Sequence, residues 1–155
     1  MHTLLLTSIL ACGNKEQEED SGLIHISNDG PTGDAYSTPS CGPADGPAIY
    51  FAIGLESGDE CQSALDEDFG VTISLWENST IESDVPVSLT TGWAQFHYGE
   101  GEPRSAVDGE ITVTFDGEWS AETEFTGYYW MELSDGLIIE GGFNGTNCDA
   151  ELICG

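Results

Sequence analysis

The sequence predicts an all-β domain, an antiparallel β-sandwich of about seven to eight strands that disulfides hold together. Three observations predict it. Apolar and polar residues alternate with a period of two in most segments after residue 47, as in half-buried strands. Glycine and Asp-Gly pairs separate these segments. Apolar residues make up 39% of the chain and five residues are cysteines, which is enough for a core and for cross-links.

The first four predicted strands are short and follow one another closely. AIYFAIGL at 48–55 and VTISLW at 71–76 each place large aliphatic or aromatic residues at every second position. Residues 85–89 continue the alternation around Pro86, and proline restricts such a segment to a sheet edge. GWAQFHYG at 92–99 is predicted to turn Ala94, Phe96 and Tyr98 toward the core.

The last three predicted strands carry the clearest pattern. EITVTF at 110–115 alternates β-branched and aromatic residues with threonine. FTGYYWMEL at 125–133 ends in Ser-Asp-Gly, a turn signal, and LIIEGGF at 137–143 returns from it. Seven short alternating strands with turn residues between them are typical of a β-sandwich.

The charge of the chain excludes some partners. It has 29 acidic residues against two basic ones, Lys15 and Arg104, for a net charge of -27. Nucleic acid and bare anionic membrane would be repelled, so neither is expected as a partner. Two explanations of the acidity stay open, namely solubility in salty water, where screening weakens self-repulsion, and binding of cations.

The first residues predict export and lipidation. Residues 3–11 form a mostly apolar run of signal-peptide length. The following Ile9-Leu10-Ala11-Cys12 resembles the lipobox of bacterial lipoproteins, in which the cysteine becomes the lipid-bearing N-terminus. The resemblance implies a signal peptide at 1–11, an acidic flexible tether at 12–40 and a β-sandwich domain at 41–155. With Gly13 after the cysteine, it also implies the outer membrane, on its periplasmic or extracellular face.

The cysteine count agrees with that assignment. Five cysteines leave one without a partner, and lipid on Cys12 accounts for it. The remaining Cys41, Cys61, Cys148 and Cys154 would form two disulfides, which suits an oxidising compartment. Spacing does not choose among the three pairings. We favour Cys61–Cys148 with Cys41–Cys154, and the local pairing of Cys41–Cys61 with Cys148–Cys154 stays open.

The C-terminal part of the domain carries a second resemblance. VDGEITVTFDG and FTGYYWMELSDGLIIEGGFNGTNC, from residue 107 to residue 148, resemble the C-terminal half of small β-sandwich envelope lipoproteins of predatory and marine bacteria. The shared pattern is a β-branched alternation, then a Leu-x-Asp-Gly turn, and a cysteine at the end. It implies a fold and a location, and no activity.

The sequence contains none of the common catalytic or phosphate-binding motifs, so a non-enzymatic protein is expected. His97 is the one histidine of the predicted domain, and a lone strand histidine is usually a surface residue. Calcium is the best-motivated small ligand, because Asp66 and Asp68 lie in an acidic loop and hard cations prefer oxygen ligands. No other cofactor is expected.

Three aromatic residues suggest a ligand platform. If the core faces of their strands are as predicted, Trp93, Tyr128 and Trp130 point outward and offer flat rings to a sugar. The opposing interpretation is that these rings cover the edge of the core. The sequence therefore predicts a cell-envelope lipoprotein acting as a non-enzymatic structural or interaction module, with an envelope protein or glycan as partner. The alternative is a carbohydrate- or calcium-dependent binding module.

Overall fold

The computed structural model describes residues 27–76 and 80–149. Strands account for 57% of these described residues and helices for 8%, which confirms the all-β class. The strands are β1 (Ser27–Asp29), β2 (Gly33–Cys41), β3 (Pro47–Ile53), β4 (Phe69–Trp76), β5 (Val87–Ser88), β6 (Gly92–Tyr98), β7 (Arg104–Thr114), β8 (Glu124–Leu133) and β9 (Ile138–Asn147). Three single-turn 3-10 helices lie between them, at Pro43–Asp45, Glu60–Gln62 and Leu89–Thr91.

The strands form a closed barrel and not the predicted antiparallel sandwich. Seven of them pair in the cyclic order β2-β3-β4-β6-β7-β8-β9, and β9 then pairs with β2. The β2–β9 pairing is parallel, from Gly33 with Phe143 to Ser37 with Asn147, whereas the other six pairings of the ring are antiparallel. The parallel β2–β9 pairing joins the first and last strands of the ring. The result is a mixed barrel in which no strand of the ring has an unpaired edge.

The barrel begins before residue 41, inside the segment that the sequence assigned to the tether. β2 forms hydrogen bonds with β3 on one side and β9 on the other. β1 pairs in parallel with Ile138–Glu140 of β9. It lies on the same side of β9 that β2 occupies from Phe143 onward. The tether prediction is therefore wrong for 27–40, because polar and glycine-rich residues form strands there when their neighbours supply the pairing.

The interior of the barrel is filled by the residues that alternation placed inward. The completely buried aliphatic side chains come from β3, β4, β7, β8 and β9, and include Ile53, Val71, Ile73, Leu75, Ile111, Met131 and Leu133. Phe96 is buried as predicted. Tyr98, two residues later, is 69% exposed, because β6 ends there and its side chain lies beyond the core.

Aromatic rings close one end of the barrel. Trp119, in the connection between β7 and β8, packs against Phe115 at 5.0 Å and Phe125 at 5.5 Å between ring centroids. Phe51 contacts Trp119, Phe125 and Phe143. Such edge-on and tilted arrangements are favourable for aromatic pairs, so this end of the core is held by rings and not by a helix.

Tyr129 connects the barrel interior to the link between β1 and β2. It is completely buried and its hydroxyl donates a hydrogen bond to the Pro31 carbonyl oxygen at 3.0 Å. We expect Tyr129→Phe to lower the free energy of unfolding by about 1–2 kcal/mol, because the carbonyl would stay buried without its donor. Urea unfolding measures the loss. Tyr98→Phe, at an exposed tyrosine, is the control, and equal effects of the two substitutions would contradict the prediction.

Candidate functional site

The cysteines predicted to cross-link the domain are partly described. Cys61 and Cys148 form a disulfide with a Cα–Cα distance of 5.7 Å, which confirms that pairing and excludes the local one. Cys41 is also disulfide-bonded. Its predicted partner Cys154 lies outside the described residues, as does Cys12, the predicted lipid-bearing residue. The confirmed bond links the β3–β4 connection to the end of β9.

Trp93 lies on the outside of β6 as predicted, 37% exposed. Its ring neighbour is Tyr50 of β3, at 6.3 Å between centroids and a 59° interplanar angle. Tyr50 in turn contacts Tyr36 of β2, at 6.2 Å and 45°. The three rings form a strip across four strands of the barrel, with β4 lying beneath the Tyr50–Trp93 step.

The outer surface around this strip has no acidic side chain on β3, β4 or β6; on β2 the acidic residue is Asp34, two positions before Tyr36, and its carboxylate accepts a hydrogen bond from Asn144 Nδ2. We call this surface the uncharged face, and define it as the outward side chains of residues 36–38, 48–52, 72–74 and 93–97. On β4 its members are Thr72 and Ser74, each only 3% exposed because the larger neighbours cover them. By contrast, the outer surface of β7, β8 and β9 carries Glu110, Glu124, Glu132 and Glu140.

Tyr128 and Trp130 point outward from β8, as predicted, and each is paired with an acid. The Tyr128 hydroxyl donates to Glu140 Oε2, and the Trp130 indole Nε1 donates to Glu110 Oε2 at 3.2 Å. The hydrogen bond to Glu140, then burial and the nearby negative charge, raise the pKa of Tyr128 to about 12. These rings therefore belong to an acidic surface.

The structure does not bring the three predicted platform residues together. β7 lies between β6, which carries Trp93, and β8, which carries Tyr128 and Trp130. β6 pairs with Arg104 and Ser105 of β7, whereas Trp130 of β8 lies opposite Glu110, so Trp93 and the β8 rings are also offset along the strand direction. Sequence reasoning missed Tyr36, because it lay in the supposed tether. The alternation of 48–55 predicts that Tyr50 points outward, and this is the sequence feature from which its place in the site could have been found.

His97 lies on the same outer surface, at the end of β6. Its Nε2 is 3.0 Å from Thr72 Oγ1, so its ring is held against β4. Burial lowers the pKa of His97 below its usual value, which keeps the imidazole neutral at pH 7. His97 therefore adds a neutral hydrogen-bonding group to the uncharged face.

The acidic loop between β3 and β4 is folded on itself. The Asp66 carboxylate accepts a hydrogen bond from the Asp68 backbone nitrogen at 2.8 Å, which is an ordinary turn contact. Within 27–76 and 80–149, no three or more His, Cys, Asp or Glu side chains are grouped to hold a metal ion.

An open cleft of about 940 Å³ lies beside the β7–β8 connection. Five carboxylates line it, from Glu60, Asp116, Glu118, Glu122 and Glu124. Glu60 Oε2 is buried there and accepts no hydrogen bond within the described part of the chain. Concentrated negative charge attracts cations in general, and this geometry selects no particular one.

Comparison of the chain with protein-family models, with curated proteins and with solved structures finds no match to any of them. None of the described helices has the length and apolar content that crossing a membrane requires.

Proposed function

We propose that this chain is a bacterial envelope lipoprotein, attached to the outer membrane through lipid on Cys12, that presents a non-enzymatic binding domain. Export is supported by the lipobox-like residues 9–12 and by the Cys61–Cys148 disulfide, since such bonds persist in oxidising compartments. The observation that carries the binding role is the uncharged face, an aromatic surface on a chain with 29 acidic residues. An interacting surface differs in this way from the solvated remainder.

The anchor is tested by Cys12→Ala in a Gram-negative host. We expect the parent protein to fractionate with membranes, because two or more acyl chains hold a protein stably at a bilayer. Cys12→Ala should lack the acyl mass and stay in the soluble fraction. Mass spectrometry before and after reduction measures both the acyl groups and the disulfides. A parent protein that starts at Met1, without lipid, would overturn the proposal.

Carbohydrate binding is the alternative function that a specific observation favours. Trp93 and Tyr128 expose large parts of their rings on outer strand surfaces, where a sugar ring could pack. The calcium-dependent form lacks such support, since Asp66 is engaged in its own turn. A rise in melting temperature with millimolar calcium, lost in Asp66→Asn with Asp68→Asn, would restore it.

A further inference from the structure

The strip of Tyr36, Tyr50 and Trp93 is a preformed surface. In the β-sheet register, Tyr50 pairs with Ser74 and Ser74 with Trp93, so a small side chain separates two large rings. In the next row, Tyr36 pairs with Ala52. The rings therefore lie across small residues of a rigid barrel. Tyrosine and tryptophan have few torsions to restrict, so little conformational entropy is lost when they bind a ligand.

The strip stays neutral at the pH of an external medium. Burial, together with the neighbouring Tyr36, raises the pKa of Tyr50 to about 12. His97, on the same face, is neutral at pH 7 because burial lowers its pKa. An anionic ligand would nevertheless meet the field of a chain with a net charge of -27. A second copy of the chain would be repelled for the same reason. A cationic ligand would be drawn instead to the carboxylates on the outer surface of β7, β8 and β9, since the residues of the uncharged face offer it no ion-pair partner. The ligand that best fits the uncharged face is therefore uncharged.

The exposed area of the strip indicates a small contact. Trp93 is 37% exposed, and the two tyrosines are half-buried. Aromatic side chains have about 150–250 Å² each, so the strip exposes on the order of 200 Å² of ring surface. A specific protein interface usually takes about 800 Å² from each partner. The strip is therefore small for a protein partner and matches one or two sugar rings.

We infer that Tyr36, Tyr50 and Trp93 form a binding site for the sugar rings of a neutral polysaccharide. The apolar faces of the sugars would pack on Trp93 and Tyr50. Their hydroxyls would exchange hydrogen bonds with the tyrosine hydroxyls and with the Gln95 amide, which lies between Trp93 and His97 on β6. This inference deepens the carbohydrate alternative above, and moves its site away from Tyr128 and Trp130.

The test is electrophoresis of the full chain, in a neutral detergent, through native gels that contain a soluble neutral polysaccharide. Separate gels contain β-glucan, mannan, galactan or anionic alginate. The acidic chain migrates fast, so retardation measures binding directly. We expect at least one neutral polymer to retard the parent protein and alginate to leave it unaffected. Trp93→Ala and Tyr50→Ala should each weaken binding about tenfold or more, as loss of one stacked ring does.

Trp130→Ala is the matched control, since it removes the same ring from another side of the barrel and should leave retardation unchanged. Melting curves of all variants establish that they are folded. Absence of retardation in every neutral gel would overturn the inference, and so would equal loss in Trp130→Ala. Self-association that Trp93→Ala abolishes, measured by sedimentation without polysaccharide, would identify a second copy as the occupant instead. Each of these results is independent of membrane attachment through Cys12.

Discussion

Replacing both Cys61 and Cys148 by alanine is expected to lower the free energy of unfolding by about 3–4 kcal/mol. The bond joins residues 87 positions apart, so it restricts a large part of the unfolded chain. It also holds the β3–β4 connection against the end of β9, where the Cys148 backbone nitrogen donates to the Ser37 carbonyl at 2.7 Å. A domain with a typical stability of about 5–15 kcal/mol would lose a substantial part of it.

Urea unfolding under oxidising conditions measures this loss, and Cys12→Ala is the matched cysteine control. Cys41 is also disulfide-bonded, and its partner is predicted to be Cys154. If that pairing is right, Cys12→Ala should unfold at the same urea concentration as the parent protein. Reduction of the parent should then destabilise it at least as much as the double substitution. A double variant within about 1 kcal/mol of the parent would contradict the expected role of the bond.

The strands of the domain could be predicted because their signal is local. In β3, β4 and β8 the inward residues are large and apolar, so the period of two is visible in the sequence itself. β2 has no such signal. Its sequence GDAYSTPSC contains Gly, Pro and several hydroxyl residues, and only Ala35 and Ser37 turn into the barrel. Pairing with β3 and β9 makes it a strand, and that pairing is not local.

Closure of the barrel could not be predicted for the same reason. Ser37 is completely buried, and its hydroxyl donates to Asn147 Oδ1 at 2.8 Å, across 110 positions of the sequence. A serine in a polar segment indicates a loop unless its distant partner is known. Seven alternating strands then indicate a sandwich, because nothing in the sequence shows that the first and last strands meet.

The same limit applies to the aromatic site. Alternation correctly placed Trp93, Tyr128 and Trp130 outward, since facing depends on neighbours in the sequence. Which outward residues are close depends on strand order. The order β3-β4-β6 brings Tyr50 to Trp93, and the β2–β3 pairing brings Tyr36 to Tyr50. The direction of a strand side chain, inward or outward, is therefore predictable from a single sequence. Which outward side chains form a site together depends on the order of the strands in the barrel.

The closing junction gives the sharpest test of the fold. Gly145 of β9 is buried between Ala35 of β2 and Phe125 of β8. A Cβ atom built on it would overlap the backbone carbonyl of Ala35, which cannot move without breaking the parallel pairing. We expect Gly145→Ala to lower the free energy of unfolding by about 3 kcal/mol, at the upper end for an added methyl group, because the obstacle is backbone.

Gly142→Ala, on the same strand, is the matched control for the junction. Gly142 is exposed, and its added Cβ would meet only the Gly127 carbonyl oxygen at 3.7 Å, an ordinary contact. That variant should be unchanged or up to about 1 kcal/mol more stable, because alanine restricts the unfolded chain. Urea unfolding of the two variants separates the effects. Equal stabilities would mean that β2 does not lie this close to β9, and that this pairing does not close the barrel.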